Sequence, residues 1–434
     1  MTEATVGLLG ILSLFVLLAL RIPVAFVMFI VGFCGIWILD SFRAAKSLLA
    51  SEAFTLASSP ELVVIPLFIL MGNVASQTGM SRKLYDAAYA IVGQFRGGLA
   101  SATVIGCGGF AALSGSSVAS ALTIGKVALG QMERFKYNPR LSTGVVAAGG
   151  TLGILIPPST GFVIYAILTE QSIGRLFLAG VLPGLLLLTL FVATVMFICW
   201  LRPEYGPAGP KSSLNEKMRS LLGAGPIVGI ILLTIGGIYG GLFSPVEAAA
   251  VGAGAVIAIG FVSRTLTLQM LWHAARDSVT TTATVMLILI AAHLINPFMA
   301  LSHIPTTVGE YMASLGLETL GTLIVILLVY MVLGCFLEGF AMLVLTLPIF
   351  FPIVLELGID PIWFGVLVVL TLEMGLISPP VGINVFIVKS VARDTPLSEI
   401  FRGVLPFWFV MILCIALLIS FPQIVLMLPN AMIG

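Results

Sequence analysis

The chain has 434 residues, of which 59% are hydrophobic and 9% charged, with a mean hydropathy of +1.17; this excludes a water-soluble globular protein. Its 20 basic and 19 acidic residues nearly cancel, which argues against a basic nucleic-acid-binding surface and against an acidic tail. Apolar runs of about 17 to 25 residues recur along it, each long enough to cross roughly 30 Å of hydrocarbon as a helix, so the expected fold is an all-α polytopic membrane protein with ten or more spans.

In chain order, the N-terminal Met1-Thr2-Glu3 lacks the basic start and small-residue cleavage site of a secretory signal, so the first apolar run is expected to stay in the mature protein. Arg43 to Phe54 reads as an amphipathic connector at the membrane interface. Ile65-Pro66-Leu67-Phe68 then leads to Gly72-Asn73, where Asn73 is placed either to bridge helices or to touch a ligand. Leu113-Ser114-Gly115-Ser116-Ser117 is a small polar interruption between apolar stretches, as at the tip of a re-entrant hairpin. Lys126 follows shortly after it.

Thr151-Leu152-Gly153-Ile154-Leu155-Ile156-Pro157-Pro158-Ser159 puts Gly and a double Pro at membrane depth. Proline lacks the amide donor and blocks the helix before it, which frees carbonyls one turn earlier. In lipid such backbone needs a reason, and freed carbonyls are ligands for a hard cation such as Na⁺. The polar stretch from Arg202 to Ser220 reads as a linker. In the second half, Leu337-Glu338-Gly339-Phe340 and Glu373-Met374-Gly375-Leu376-Ile377-Ser378-Pro379-Pro380-Val381-Gly382-Ile383-Asn384 repeat the pattern. Glu338 and Glu373 are ionisable groups in apolar surroundings, which marks them as candidates to compensate a cation or relay a proton; the competing reading is that one of them caps a helix or faces water near the boundary.

These stretches are copies. Asn138-Pro139 matches Asp360-Pro361, Gly153 matches Gly375, Pro157-Pro158 matches Pro379-Pro380 and Pro23 matches Pro245, all 222 residues apart, which also pairs Ser116 with Glu338. Gly180-Val181-Leu182-Pro183 answers Gly403-Val404-Leu405-Pro406 after one inserted residue. We therefore expect a first repeat over 1–201, a polar linker over 202–222 and a second repeat over 223–434, each with scaffold helices, a hairpin and a broken helix. Arg134, Lys136 and Arg140 surround Asn138, whereas no Lys or Arg occurs between Arg276 and Lys389, so the copies are expected to be inserted in opposite senses. Inverted repeats with paired interruptions are the mark of secondary carriers.

Cys34, Cys107, Cys199, Cys335 and Cys414 are scattered without CxxC spacing, and His273, His293 and His303 form no HExxH pair. The sequence also contains no GxSxG and no phosphate loop, so a transition-metal site, a catalytic site and any organic cofactor are not expected; Na⁺ enters only as coupling ion.

On Ile65 to Asn73, the Ser114 to Ser117 tetrad, Ile156-Pro157-Pro158-Ser159 and Gly375 to Gly382, the whole chain resembles the large membrane subunit of tripartite ATP-independent periplasmic (TRAP) transporters. The resemblance implies an elevator carrier of the bacterial inner membrane that works with a small four-helix membrane subunit and a periplasmic substrate-binding protein delivering a small organic anion. It implies one Na⁺ site at Ser114, Ser117, Gly153, Ile156 and Pro158 and a second at Gly339, Gly375, Ser378 and Val381. The anion is expected near Asn73, Gly115, Ser116, Ser159, Glu338, Gly382 and Asn384; Glu338 stands where the family more often has Asp. The 43–54 connector becomes an arm between scaffold and moving bundle. The alternatives are a stand-alone Na⁺ or H⁺ symporter, separable by copurification with a small subunit, and a membrane enzyme on lipid or peptide.

Overall fold

The computed structural model describes residues 2–431, and the described residues form helices and connecting segments without a strand. The first half runs α1 (Glu3–Ala19), α2 (Val24–Leu39), α3 (Phe42–Ser58), a 3₁₀ turn at Pro60–Val63, α4 (Val64–Gln77), α5 (Met80–Val92), α6 (Gly98–Ser114), α7 (Ser117–Arg134), α8 (Pro139–Leu155), α9 (Thr160–Thr169) and α10 (Ile173–Leu201). The second runs α11 (Leu214–Tyr239), α12 (Pro245–Val262), α13 (Leu268–Leu301), α14 (Ile304–Ser314), α15 (Thr319–Gly334), α16 (Gly339–Glu356), α17 (Pro361–Gly375), α18 (Ile383–Val391), α19 (Leu397–Ser420) and α20 (Gln423–Asn430).

The order of elements recurs with the sequence offset. Helices α7 and α16, and α8 and α17, start 222 residues apart, at Ser117 and Gly339 and at Pro139 and Pro361. Both α8 and α17 open on proline at the first helical position, where a missing N–H costs nothing, behind an Asn138 or Asp360 cap. One difference has a local cause. Pro60 ends α3 and separates it from α4, whereas the residue 222 later is Thr282, so α13 continues unbroken for 34 residues over the stretch that α3 and α4 divide between them.

Among the described residues seven helices, taking the Pro60–Val63 turn and α4 together as one, are long and apolar enough to cross a membrane, or eight if α8 and α9, which meet at 41°, count as one broken span. The expectation of ten or more spans counted apolar runs. Among these α6, α15 and α17 are each 15 to 17 residues long, too short to be scored as single spans, because the chain turns or breaks at mid-run. The 202–222 stretch is less open than its composition suggests. Helix α11 begins within it at Leu214, fixed by a Ser213–Glu216 capping box. Ahead of that, Gly97 N donates to Gly206 O (2.8 Å), Gly209 N to Gly93 O (3.0 Å) and Asn138 N to Tyr205 O (3.0 Å), so the segment is sewn onto the loops of the first half.

Small residues set how closely the helices approach. A Cβ on Gly144 would lie 2.2 Å from Gly403 O, and one on Gly403 would lie 2.0 Å from Arg140 O, so α8 and α19 cross backbone against backbone. Arg140 also forms an ion pair with Glu399 at the same ends of these helices. Helix α3 is amphipathic, largely exposed, and lies against α2 and α13.

Candidate functional site

The first hairpin is closed by its own backbone. Helix α6 stops at Ser114, Gly115 takes a left-handed conformation (φ 57°) that a side chain would strain, and Ser116 caps α7 by accepting from Ala119 N (3.3 Å). Gly115 O accepts from Thr160 Oγ1 (2.8 Å) and Thr160 N (3.4 Å), which ties the tip to the start of α9. Gly153 comes up against the other side: a Cβ there would be 2.4 Å from Ser116 O and 2.6 Å from Ser117 N. Gly72 closes the third side, where a Cβ would sit 2.7 Å from Ser114 Cα. Ser114, Gly115 and Ser117 are buried, and Ser114 Oγ lies 3.2 Å from Ser120 Oγ.

Helix α8 ends as Ile156 N donates to Leu152 O (3.0 Å), and the Pro157-Pro158 bond is cis. Neither proline offers an N–H, so the carbonyls of Gly153 and Ile154 have no helical donor, and among the described residues no other donor reaches them. Ser159 is buried and restarts the helix by capping Phe162 N (3.2 Å). The sequence therefore brings Ser114, Gly115, Ser116, Ser117, Gly153, Ile156, Pro158 and Ser159 to one junction, with Thr160 added.

The second junction differs. Gly334 and Gly375 touch, a Cβ on Gly375 lying 2.6 Å from Gly334 Cα, and a Cβ on Gly339 would meet Leu372 at 2.6 Å. Glu338 precedes α16 without a side-chain cap and lies at the surface of the helix bundle. Pro379-Pro380 is also cis, yet the carbonyls that these prolines release are taken up again: Ser378 N donates to Gly375 O (3.0 Å) and Asn384 N to Leu376 O (3.0 Å). The expectation of matching freed carbonyls in both halves thus holds for the first alone, because after the second break the chain loops back through left-handed Gly382 (φ 58°) and returns an amide to α17. Ser378 Oγ donates to Met374 O (2.7 Å) and accepts from Trp408 Nε1 (2.8 Å), while Val381 is exposed.

Four further candidate residues lie around these junctions or away from them. Asn73 Nδ2 donates to Ser278 Oγ (2.9 Å), bridging α4 and α13, the helix-bridging role among its two readings. Lys126 is exposed along α7. Glu373 is fully buried and links the two halves of the chain: Ser117 Oγ donates to its Oε2 at 2.5 Å, while Oε1 has no partner among the described residues. Asn384 is also fully buried, with neither Oδ1 nor Nδ2 paired. Thr160 and Trp408 were not legible as site residues. Thr160 carried a weak signal, standing directly after the double proline and Ser159, whereas Trp408 lies 30 residues from Ser378 and nothing local points to it.

Residues 11–424 match the family described as "Tripartite ATP-independent periplasmic transporter, DctM component". The chain belongs to that family. This DctM-family chain is a multi-pass transport permease of the bacterial inner membrane and not an enzyme. It is 40% identical over 395 residues to the C4-dicarboxylate TRAP transporter large permease protein DctM of Pseudomonas aeruginosa, covering 90% of both chains. It is 34% identical over 379 residues to the isethionate TRAP transporter permease protein DctMQ of Oleidesulfovibrio alaskensis, covering 86% of this chain and 59% of that one. The crystal structure of the YdaH transporter of Alcanivorax borkumensis shares its fold, with a TM-score of 0.64 at 17% identity over 89% of this chain and 90% of that one.

Proposed function

We propose that this DctM-family permease imports a small organic anion, a carboxylate or sulfonate, by symport with Na⁺, receiving it from a periplasmic binding protein and working beside a small membrane subunit. The observation that carries the proposal is the first junction, where Gly153 O and Ile154 O, carbonyls of buried residues, stand without donors in the broken helix that packs against the backbone of Ser116 and Ser117 at the hairpin tip. Buried polar groups left unpaired are costly, and a dehydrated monovalent cation satisfies several oxygens at once. The second ion is assigned to the Gly339, Gly375, Ser378 and Val381 turn, and the anion to the space between the tips, reached by Ser116, Ser159, Gly382 and Asn384.

The mechanism follows from charge. An anion alone is expensive to carry through hydrocarbon, and cations bound at the tips offset it and draw hairpin and broken helix together, so that the loaded bundle moves as one body. We read the two halves as oppositely inserted units and the α3 arm as the hinge strip between scaffold and bundle. The relatives named for a C4-dicarboxylate and for isethionate make a four-carbon dicarboxylate the first substrate to test and a small sulfonate the second.

Proteoliposomes carrying this chain with its small subunit, given candidate anions and their binding proteins outside, are expected to accumulate the anion only under an inward Na⁺ gradient. Accumulation indifferent to Na⁺ overturns the coupling, and uptake without any binding protein or small subunit favours a stand-alone symporter.

A further inference from the structure

We infer a further cation position at the junction of α7, α17 and α18, with the Glu373 carboxylate as its formal charge and the Ser117 hydroxyl and Asn384 amide oxygen as neutral ligands. It rests on the Na⁺-coupled reading and deepens it, adding a charged ligand that comes from the second half and meets the first.

Glu373 projects from the last turns of α17 and is fully buried. One oxygen accepts from Ser117 Oγ at 2.5 Å and the other has no hydrogen-bond partner among the described residues. Among the described residues no ion pair reaches it. Lys126, the one basic residue of α7 before its last turn, is nine residues from Ser117, roughly 13 Å along the helix, and exposed. A carboxylate so enclosed, with one hydrogen bond and no counter-charge, is among the costliest arrangements in a protein unless it takes up a proton or a positive ion occupies the space beside it, and the unpaired oxygens around it favour the ion.

A second buried group lies at the same meeting of α7, α17 and α18. Asn384 N donates to Leu376 O, which sets the first turn of α18 against the end of α17, three residues from Glu373. Helix α18 also packs on α7, which begins with Ser117. Asn384 is itself fully buried with both amide atoms unpaired, so an oxygen acceptor and an N–H donor are enclosed here with no protein partner. Assigning the oxygen to a cation leaves Nδ2 to donate to the transported anion. Among the described residues no three of His, Cys, Asp and Glu gather into a group. One carboxylate with neutral oxygens matches the single charge and oxygen preference of Na⁺, not the ligand set of a transition metal.

The position differs from the first tip in its ligands, a side-chain carboxylate and amide in place of the Gly153 and Ile154 carbonyls, and it shares Ser117 with that tip. An ion beside Glu373 therefore fixes the end of α7 against the second half.

The test compares wild type, Glu373→Gln and Asn384→Ala in proteoliposomes with the small subunit, given a four-carbon dicarboxylate and its binding protein outside, reading half-saturating Na⁺ for uptake and, from reversal potentials, the charge moved per substrate. Glu373→Gln is expected to raise half-saturating Na⁺ at least tenfold and to remove one elementary charge per substrate, and Asn384→Ala to raise half-saturating Na⁺ several-fold. Wild-type uptake that ignores Na⁺ defeats the underlying coupling. Na⁺-dependent wild-type uptake with both readouts unchanged in Glu373→Gln overturns this position and leaves the coupling standing. A missing charge that follows a pH gradient in place of the Na⁺ gradient overturns it in favour of a proton. If Glu373→Gln does not elute as folded protein, Glu373→Asp keeps the charge on a shorter stem; it is expected to raise half-saturating Na⁺ with full charge movement, and an unchanged Na⁺ requirement refutes the assignment.

Discussion

At Gly153 an added methyl group would stand 2.4 Å from the Ser116 carbonyl oxygen, a backbone atom held by the turn around it. Gly153→Ala is therefore expected to push the tip away from the α8 break and weaken Na⁺ by about tenfold or more, equivalent to about 1.4 kcal/mol; Na⁺ titration of uptake checks this. Gly375→Ala meets Gly334 at 2.6 Å, again backbone, and is expected to cost about 1–3 kcal/mol of stability. Trp408→Phe keeps the ring and removes the donor to Ser378 Oγ, an expected loss of about 1 kcal/mol. Thermal unfolding of the purified protein in detergent ranks the last two, and a Trp408→Phe protein less stable than Gly375→Ala contradicts the packing described here. The glycines were legible as candidates because they precede a double proline at matched positions. The contacts that make them intolerant of a side chain were not, since Ser116 and Gly334 are 37 and 41 residues away along the chain.

At the scale of elements, the two broken helices begin alike and end differently. Asp360 accepts from Ile362 N (2.8 Å) and Trp363 N (3.0 Å), whereas Asn138 accepts from Arg140 N alone (2.9 Å). Replacing either cap by Ala is expected to cost about 0.5–2 kcal/mol, with Asp360→Ala the larger, as denaturation midpoints will show. The α8–α19 crossing provides a contrast between packing and charge. Glu399 sits at the solvent-facing end with Arg140 and Arg402, so Glu399→Gln is expected to leave the melting temperature nearly unchanged. Gly403→Ala places a methyl on Arg140 O and is expected to lower it clearly. The breaks themselves were readable, because proline has no amide to donate wherever it sits. Whether the released carbonyls stay free was not, because re-pairing at Gly375 and Leu376 depends on where Gly382 turns the chain.

For the whole molecule, the decisive expectation is topology. Glu133 and Glu356 occupy nearly equivalent exposed places at the ends of α7 and α16. In a background with the five native cysteines replaced, Glu133→Cys is expected to react with an impermeant thiol reagent from the cytoplasmic side and Glu356→Cys from the periplasmic side. Labelling of both from one side refutes opposite insertion, and with it the alternating-access scheme built on a shared midplane site.

By itself the sequence determined that the chain lives in lipid, that its order of elements occurs twice and where each helix must break, because hydropathy, a fixed offset and the missing proline amide are all local or periodic properties. Only the tertiary structure decided that Ser117 meets Glu373 across 256 residues, that Asn384 is enclosed without a partner, and that one break keeps its carbonyls free while the other re-pairs them. Each of these depends on which surfaces the helices turn toward one another, and in a chain apolar on nearly every face periodicity carries little information about that choice.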